Sequence, residues 1–355
     1  MASDGYAHAW RFWPSVGKPR GLIVALHGIQ SHSGWYGESA GRLAERGFAL
    51  AYLDRRGSGL NAQSRGDAPH AERLINDVVQ FASFFDRRGL RRVPRWLMGT
   101  SWGGKLALLI AAQYRNLFDG VILQSPAVRP RIRERPWQRL LLRAAEHLGG
   151  TRREVPIPLA DASLFCDAPA FQEYIRADRH SLRRVTVRFL GASWEIDRRL
   201  RAARSRIECP ILTLLAGRDR IVNNVQTEQF LAECASRQQT TMVFPDACHT
   251  LEFAQNRDEI LANIIGWLEE TDFRRSSGTA VGRNHGQFSE IGNRPPASNP
   301  TTSESSRRTR QNLANPQQTE SGSRTRQSLA NRQQAGENQA TSATKIRGRI
   351  LGAIR

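Results

Sequence analysis

The chain has 355 residues, enough for a sizeable core in one large domain or two smaller ones. Its 39% hydrophobic content fits a globular protein, yet no stretch is long and apolar enough to span a bilayer. The formal net charge of +19 rests almost wholly on arginine, because lysine occurs only at Lys18, Lys105 and Lys345. Such a balance points to nucleic acid, an anionic membrane surface or a mere arginine bias, so the placement of the charge has to decide. The first residues lack the basic start and apolar core of a signal peptide, so a cytoplasmic protein is expected. Cys166, Cys209, Cys234 and Cys248 show no paired metal-ligand spacing; free thiols are expected, with no disulfide and no metal site.

A short strand is predicted over 9–13, followed by a turn over 14–20. Residues 22–26 form a continuous apolar run, the pattern of a strand buried on both faces. It ends in a polar, glycine-containing loop over 27–34. A helix over 38–46 is stopped by Gly47, and a second buried strand over 48–53 ends in Asp54-Arg55-Arg56-Gly57-Ser58-Gly59. Leu74, Val78, Phe81 and Phe85 recur at helical spacing within a long amphipathic helix over 69–88. Another strand and helix flank Ser101, and residues 121–123 make the next buried strand.

The rhythm then breaks. Residues 129–206 hold helical stretches, such as 137–145, but no buried-strand run of similar quality. Regular order resumes with a strand over 210–216, a helix over 225–234, a strand over 241–244 and a helix over 257–270. Alternating strands and helices predict a mostly parallel central sheet flanked by helices, with a helical region inserted. Beyond about Thr271 the chain is rich in Ser, Thr, Asn, Gln, Gly, Pro and Arg. An eleven-residue segment starting at Arg308 recurs sixteen residues later at Arg324, too polar and too few in copies for a solenoid. A disordered basic low-complexity tail over 272–355 is expected, because it buries too little apolar surface to offset chain ordering.

The chemistry centres on Gly99-Thr100-Ser101-Trp102-Gly103. An apolar run, Trp96-Leu97-Met98, leads into it, and a helix-forming run over 105–112 follows at once. Strand, Gly-x-Ser-x-Gly and helix in that order are the context of a nucleophile elbow. The sharp turn strains the serine backbone, and glycines two before and two after it avoid a clash between strand and helix. Ser101 Oγ then projects at the sheet edge, beside the positive end of the following helix.

A serine hydroxyl needs a base within hydrogen-bond reach and a third group to orient that base. Folds built on this elbow place the acid, then the histidine, after the serine. His147 and His180 fall in the irregular region, whereas His249 follows the last predicted strand and is the expected base. Asp219, in the loop after strand 210–216, is the expected acid; Asp246 and Asp197 are weaker rivals. Oxyanion donors are expected from the backbone N–H of Trp102 and of Ile29, in the loop after the first buried strand. His27 reads as a structural hydrogen-bonder, and His32 carries no assigned role.

Together, His27-Gly-Ile-Gln-Ser-His-Ser-Gly-Trp-Tyr36, Asp54-Arg-Arg-Gly-Ser-Gly59, Gly99-Thr-Ser-Trp-Gly103, Gly217-Arg-Asp219 and Cys248-His249 resemble the α/β-hydrolase superfamily. The likeness is strongest to its monoacylglycerol lipase and lysophospholipase branch, the S33 serine aminopeptidase-like group, over roughly 20–270. It implies Ser101 as nucleophile, Asp219 as acid, His249 as base, and Ile29 and Trp102 as oxyanion donors. It also implies a hydrolase core over 1–125 and 208–271, with a helical cap over 126–207 inserted after the sixth core strand. The chain departs from the branch's usual residues at Ser31, Thr100, Trp102 and Thr250. The activity implied is cleavage of carboxylic esters of apolar or acyl-chain substrates, without cofactor or metal. Thioesterase, amidase or peptidase, acyltransferase and non-catalytic binding are the alternatives on the same residues.

The position of the charge favours lipid over nucleic acid. Arg129, Arg131, Arg133, Arg135 and Arg139 flank an apolar face of Trp137, Leu140, Leu141 and Leu142. Such a helix either rests on an anionic lipid surface or turns its apolar side to the core. The basic and apolar segment 345–355 reads either as a solvated chain end, the favoured alternative, or as a second peripheral contact with an anionic membrane. Aromatic and basic residues are not interleaved as base-stacking platforms, so no specific nucleic acid is expected.

Overall fold

The computed structural model describes residues 2–276, apart from Arg133, Arg135, Leu148 and Gly149. The polar tail from 277 onward, with its repeat and its basic C-terminal segment, lies outside the described residues.

Seven strands form the main sheet: β1 (Trp10–Trp13), β2 (Gly21–Leu26), β3 (Phe48–Leu53), β4 (Arg95–Thr100), β5 (Gly120–Gln124), β8 (Ile211–Ala216) and β9 (Gln239–Phe244). Their spatial order is β1-β3-β2-β4-β5-β8-β9. Only the β1–β3 pairing is antiparallel; the other pairs are parallel. β2, β3, β4, β5 and β8 are buried along their whole length, which is why they read as unbroken apolar runs. β9, at an edge, alternates between exposed and half-buried residues, and its polar start hides two residues of it from a sequence reading.

Helices α1 (Gly37–Glu45), α2 (Ala71–Phe84), α3 (Trp102–Gln113), α7 (Asn224–Ala232) and α8 (Arg257–Ser276) connect and flank these strands. α3 is buried from Trp102 to Ala112, with apolar residues all round. A helix of that kind must be covered on both sides. The sheet covers one, and α6 (Val187–Ala203) covers the other.

α6 belongs to the segment between β5 and β8, which adds no strand to the main sheet. It carries α4 (Pro136–His147), α5 (Pro169–Ala177), α6, and a small antiparallel pair of β6 (Glu154–Pro156) with β7 (Arg184–Thr186). This insertion follows the fifth sheet strand in chain order. That is one fewer than the family likeness implies, since the residues before β1 run as turn and coil. α8 also continues to Ser276, past the expected end of the core near 271. Among the described residues no helix is long and apolar enough to cross a membrane.

Candidate active site

β4 delivers the chain to Ser101 at full burial, and α3 starts at the next residue. Ser101 sits at φ 52°, ψ −116°, a conformation that side chains rarely adopt. It is held by Ser101 N–H donating to Gln124 O at 2.9 Å, and by Gly104 and Ala127 N–H donating to Ser101 O at 2.9 Å each. The turn works only because its flanks lack side chains. A Cβ on Gly99 would lie 2.7 Å from Gly103 O, and one on Gly103 would lie 2.6 Å from Leu26 O.

The loops after β8 and β9 bring two distant side chains to this serine. His249 Nε2 lies 2.9 Å from Ser101 Oγ, and His249 Nδ1 lies 2.8 Å from Asp219 Oδ2. A carboxylate can only accept, so the ring donates Nδ1–H to Asp219 and leaves Nε2 to receive the serine proton. All three residues are buried. Burial pushes the Asp219 carboxyl upward, but the His249 ring and the N–H groups of Val222 and Ile221 outweigh it and hold the group below the ordinary carboxylate range. Those two N–H groups both donate to Asp219 Oδ1 at 2.8 Å, leaving Oδ2 for the histidine.

Of the rival acids, Asp197 is 2.7 Å from Lys105 Nζ instead. Asp246 has no place in the chain of bonds, since Asp219 takes the Nδ1 side of the ring. His180 rests beside the His32 ring, and the side chain of His147 lies outside the described residues.

Gly28 runs in contact with the serine: a Cβ there would lie 3.4 Å from Ser101 Cβ. Gly28 N–H donates to Ser31 Oγ at 3.0 Å, which bonds Tyr36 Oη at 3.0 Å, so the loop carrying Ile29 is fixed from below. His27 is structural. Arg55 N–H donates to its Nε2 at 2.9 Å, so the neutral ring carries its proton on Nδ1, 2.6 Å from Gly28 O. Burial, with the neighbouring Arg55 charge, keeps its pKa far below the usual histidine value. His32 ties this loop to the inserted segment: its Nε2 and Trp35 Nε1–H both reach Asp178 Oδ2, at 2.9 and 2.7 Å.

Ser101, Ile29 and Trp102 open together into a cavity of about 640 Å³ between core and insertion. Trp137, Leu142, Ile157, Leu159 and Leu190 give it an apolar lining. Sequence reasoning missed the polar group on its wall: Ser193 Oγ accepts from Trp102 Nε1 at 3.0 Å and from Lys105 Nζ at 2.9 Å. The partners are some ninety residues apart, and nothing local to either marks the pairing.

The histidine loop is anchored through Glu252, whose carboxyl meets Ser39 at the start of α1. Burial drives this carboxyl up to about 7, and the Ser39 hydroxyl and N–H offset only part of that. Unfolded, it would lose its proton near 4.5, so between these values the folded chain holds more protons and raising the pH destabilises it. Glu252→Gln keeps a donor for Ser39 Oγ and an acceptor for Ser39 N–H. It is expected to stabilise the protein at pH 8 by on the order of 2–3 kcal/mol, with the gain gone by about pH 5. Urea unfolding at the two pH values checks this; an equal difference at both would refute it.

A nearly all-parallel sheet with a serine on a sharp strand-to-helix turn, facing a histidine and an aspartate from later strand ends, defines an α/β-hydrolase. Residues 17–256 match the family model described as serine aminopeptidase, S33. The chain belongs to that family and is a serine hydrolase. It is similar to mouse monoglyceride lipase, 24% identical over 273 residues, spanning 75% of this chain and 88% of that one. An uncharacterized abhydrolase domain-containing protein of Dictyostelium discoideum is 25% identical over 275 residues, which are 76% of this chain but 28% of that longer protein. The solved monoacylglycerol lipase of Paleococcus ferrophilus superposes with a TM-score of 0.68 at 21% identity, covering 75% of this chain and 100% of that one.

Proposed function

We propose that this serine hydrolase cleaves carboxylic esters of acyl-chain substrates, monoacylglycerol or lysophospholipid-like, through an acyl-enzyme on Ser101. The observation that carries the reading is the Ser101–His249–Asp219 hydrogen-bonded chain opening directly into an apolar cavity. His249 Nε2 takes the hydroxyl proton as Ser101 Oγ attacks the ester carbon. The carbonyl oxygen, now negative, is received by the N–H groups of Ile29 and Trp102. His249 then gives the proton to the departing alcohol, and water repeats the sequence on the acyl-enzyme. Asp219 fixes the ring tautomer throughout. Segment 126–207 acts as a cap that holds the acyl chain, and the similarity to proteins named monoglyceride lipase supports a lipid-like substrate.

The test is a series of aryl esters from acetyl to palmitoyl. Filling an apolar cavity contributes roughly 0.8 kcal/mol per methylene, so kcat/KM should rise about three- to fourfold per carbon until the cavity is full. A flat or falling series would sink the acyl-chain reading.

A specific observation also supports contact with an anionic lipid surface. The apolar residues of α4 do not all turn to the core: Trp137, Leu140 and Leu141 are 56%, 70% and 60% exposed. Arg139 on the same helix turns inward, over the buried Trp194 ring at 4.8 Å from its centroid, so the exposed face is apolar. Amphipathic basic helices of this kind bind interfaces by apolar area plus attraction to anionic lipid. Co-sedimentation with vesicles should be greater for anionic than for neutral lipid and should fall in Leu140→Asp. Equal binding to both vesicle types would count against it.

A further inference from the structure

Arg55 follows β3 by two residues and is buried, yet among the described residues it has no carboxylate in ion-pair contact. The adjacent Asp54 is committed elsewhere, accepting from Ser33 N–H at 2.7 Å and from Leu60 N–H at 2.9 Å. Arg56, next in sequence, turns the other way to Asp77 and Asp4. Among the described residues the Arg55 guanidinium makes one hydrogen bond, Nη2–H to Ile29 O at 2.9 Å. Its Nε and Nη1 are buried with no partner among the described residues. Its Cζ packs against two aromatic rings that touch each other, 4.9 Å from the Trp102 centroid and 4.7 Å from that of Phe189, the two centroids being 5.4 Å apart. Burial, together with the Arg65 charge, pulls its pKa down to about 9, so it is still a cation at neutral pH.

Removing a cation from water without a counter-ion is among the most costly arrangements in a folded chain. What distinguishes this site is its company. The two residues that the guanidinium holds, Ile29 by its carbonyl and Trp102 by its ring, are the two whose N–H groups receive the oxyanion in the mechanism above. Arg55 is not among the residues lining the large cavity. It lines a small internal gap with Trp102, Gly103, Arg56 and Asp77. Asp77, the carboxylate on that gap, is taken by Arg56 and Arg73 and makes no ion pair with Arg55, whereas a new negative charge develops beside Ile29 and Trp102 during each acyl transfer.

We infer that Arg55 is a positioning residue of the oxyanion hole, clamping both donor residues and setting a fixed positive charge behind them. Its attraction for the oxyanion grows as the transition state forms, so it acts on turnover and not on substrate binding. Ser193 closes the clamp from the insertion, accepting from Trp102 Nε1, while Phe189 packs against both the Trp102 ring and Arg55.

This rests on the reading of Ser101 as an acylated nucleophile, and the two fail separately. If that reading is wrong, the unmodified protein itself shows no serine labelling by a fluorophosphonate. If it labels and turns over, Arg55→Met and Arg55→Gln test the inference. Expected is a fall in kcat of about 10–100-fold with KM changed less than about threefold, the size of losing part of an oxyanion stabiliser. Arg55→Lys, which keeps the charge, should recover most of the loss. A long-chain trifluoromethyl ketone, whose adduct with Ser101 carries an oxyanion, should lose affinity in proportion to kcat. The matching neutral alcohol, which binds by its chain alone, should not. Arg55→Gln retains a donor for Ile29 O and supplies the answer if the methionine variant fails to fold. Unchanged kcat in the neutral variants, or equal loss of affinity for ketone and alcohol, would overturn the inference.

Discussion

Ser101→Ala is expected to lower ester turnover by about 10⁴–10⁶-fold while leaving the fold intact. The nucleophile is lost, and the residual rate is what binding and the oxyanion donors give to attack by water. Stability should hardly move. Serine and alanine carry the same Cβ into the φ 52° conformation, and only the Oγ to His249 bond disappears. Asp219→Asn should come close in effect, at roughly 10⁴-fold, for a reason visible in the bonds. The asparagine amide occupies the place of an acceptor, so the ring is driven to carry its proton on Nε2, facing a serine that then has nothing to give it to. Because the two act as one unit, the double variant should be scarcely slower than Ser101→Ala alone. Turnover of a medium-chain aryl ester and fluorophosphonate labelling read both; more than about a tenth of the activity left in Ser101→Ala would end the nucleophile assignment.

How far such a site can be read from sequence depends on how local its constraints are. Gly99, Ser101 and Gly103 share one turn, so the constraint that selects them is written within five residues. The strands over 22–26, 48–53 and 210–216 are equally plain, because a strand covered on both faces must be apolar throughout. His249 and Asp219 are reached less directly, by chain order and by their position after strand ends. Arg55 is invisible as a site residue. Its motif, Asp54-Arg55-Arg56-Gly57-Ser58-Gly59, shows two neighbouring arginines, one of them in an ordinary buried ion pair with Asp77, the other packed against two adjoining rings. Nothing in their order tells which is which. The insertion is obscure for a related reason. Its helices are held by pairs such as Lys105 with Asp197 and Asp178 with His32 and Trp35, each joining residues far apart in the chain.

The departures from the branch pattern become intelligible at the same points. A tryptophan after the nucleophile supplies the indole N–H that Ser193 accepts and the ring that Arg55 faces. Ser31 takes the Gly28 N–H, and so steadies the oxyanion loop without adding charge. Substitutions around the elbow therefore read as one set, in which neutral hydrogen bonds and a buried Arg55 without an ion-pair partner among the described residues surround the point where negative charge forms.

Gly103→Ala is expected to damage the fold severely. The added Cβ would meet Leu26 O at 2.6 Å, His27 O at 2.7 Å and Leu26 C at 2.9 Å. All three are backbone atoms of the strand end that carries the oxyanion loop, so no side chain can swing aside. Relief requires α3 to move off the sheet, and α3 is wedged between β4 and α6. Overpacking at so rigid a place should cost about 3 kcal/mol or more, a large share of a typical domain's stability. Gly41 and Gly266 supply the contrast. Both lie inside helices, and a Cβ at either meets nothing within 4 Å. Alanine there should stabilise the protein by about 0.5–1 kcal/mol, through a less flexible unfolded chain. Urea unfolding of the three variants separates the explanations. If Gly103→Ala kept both its midpoint and its activity, the strand-to-helix turn would be looser than its close contacts imply. If all three glycines behaved alike, helix propensity and not the tight approach at the elbow would govern them.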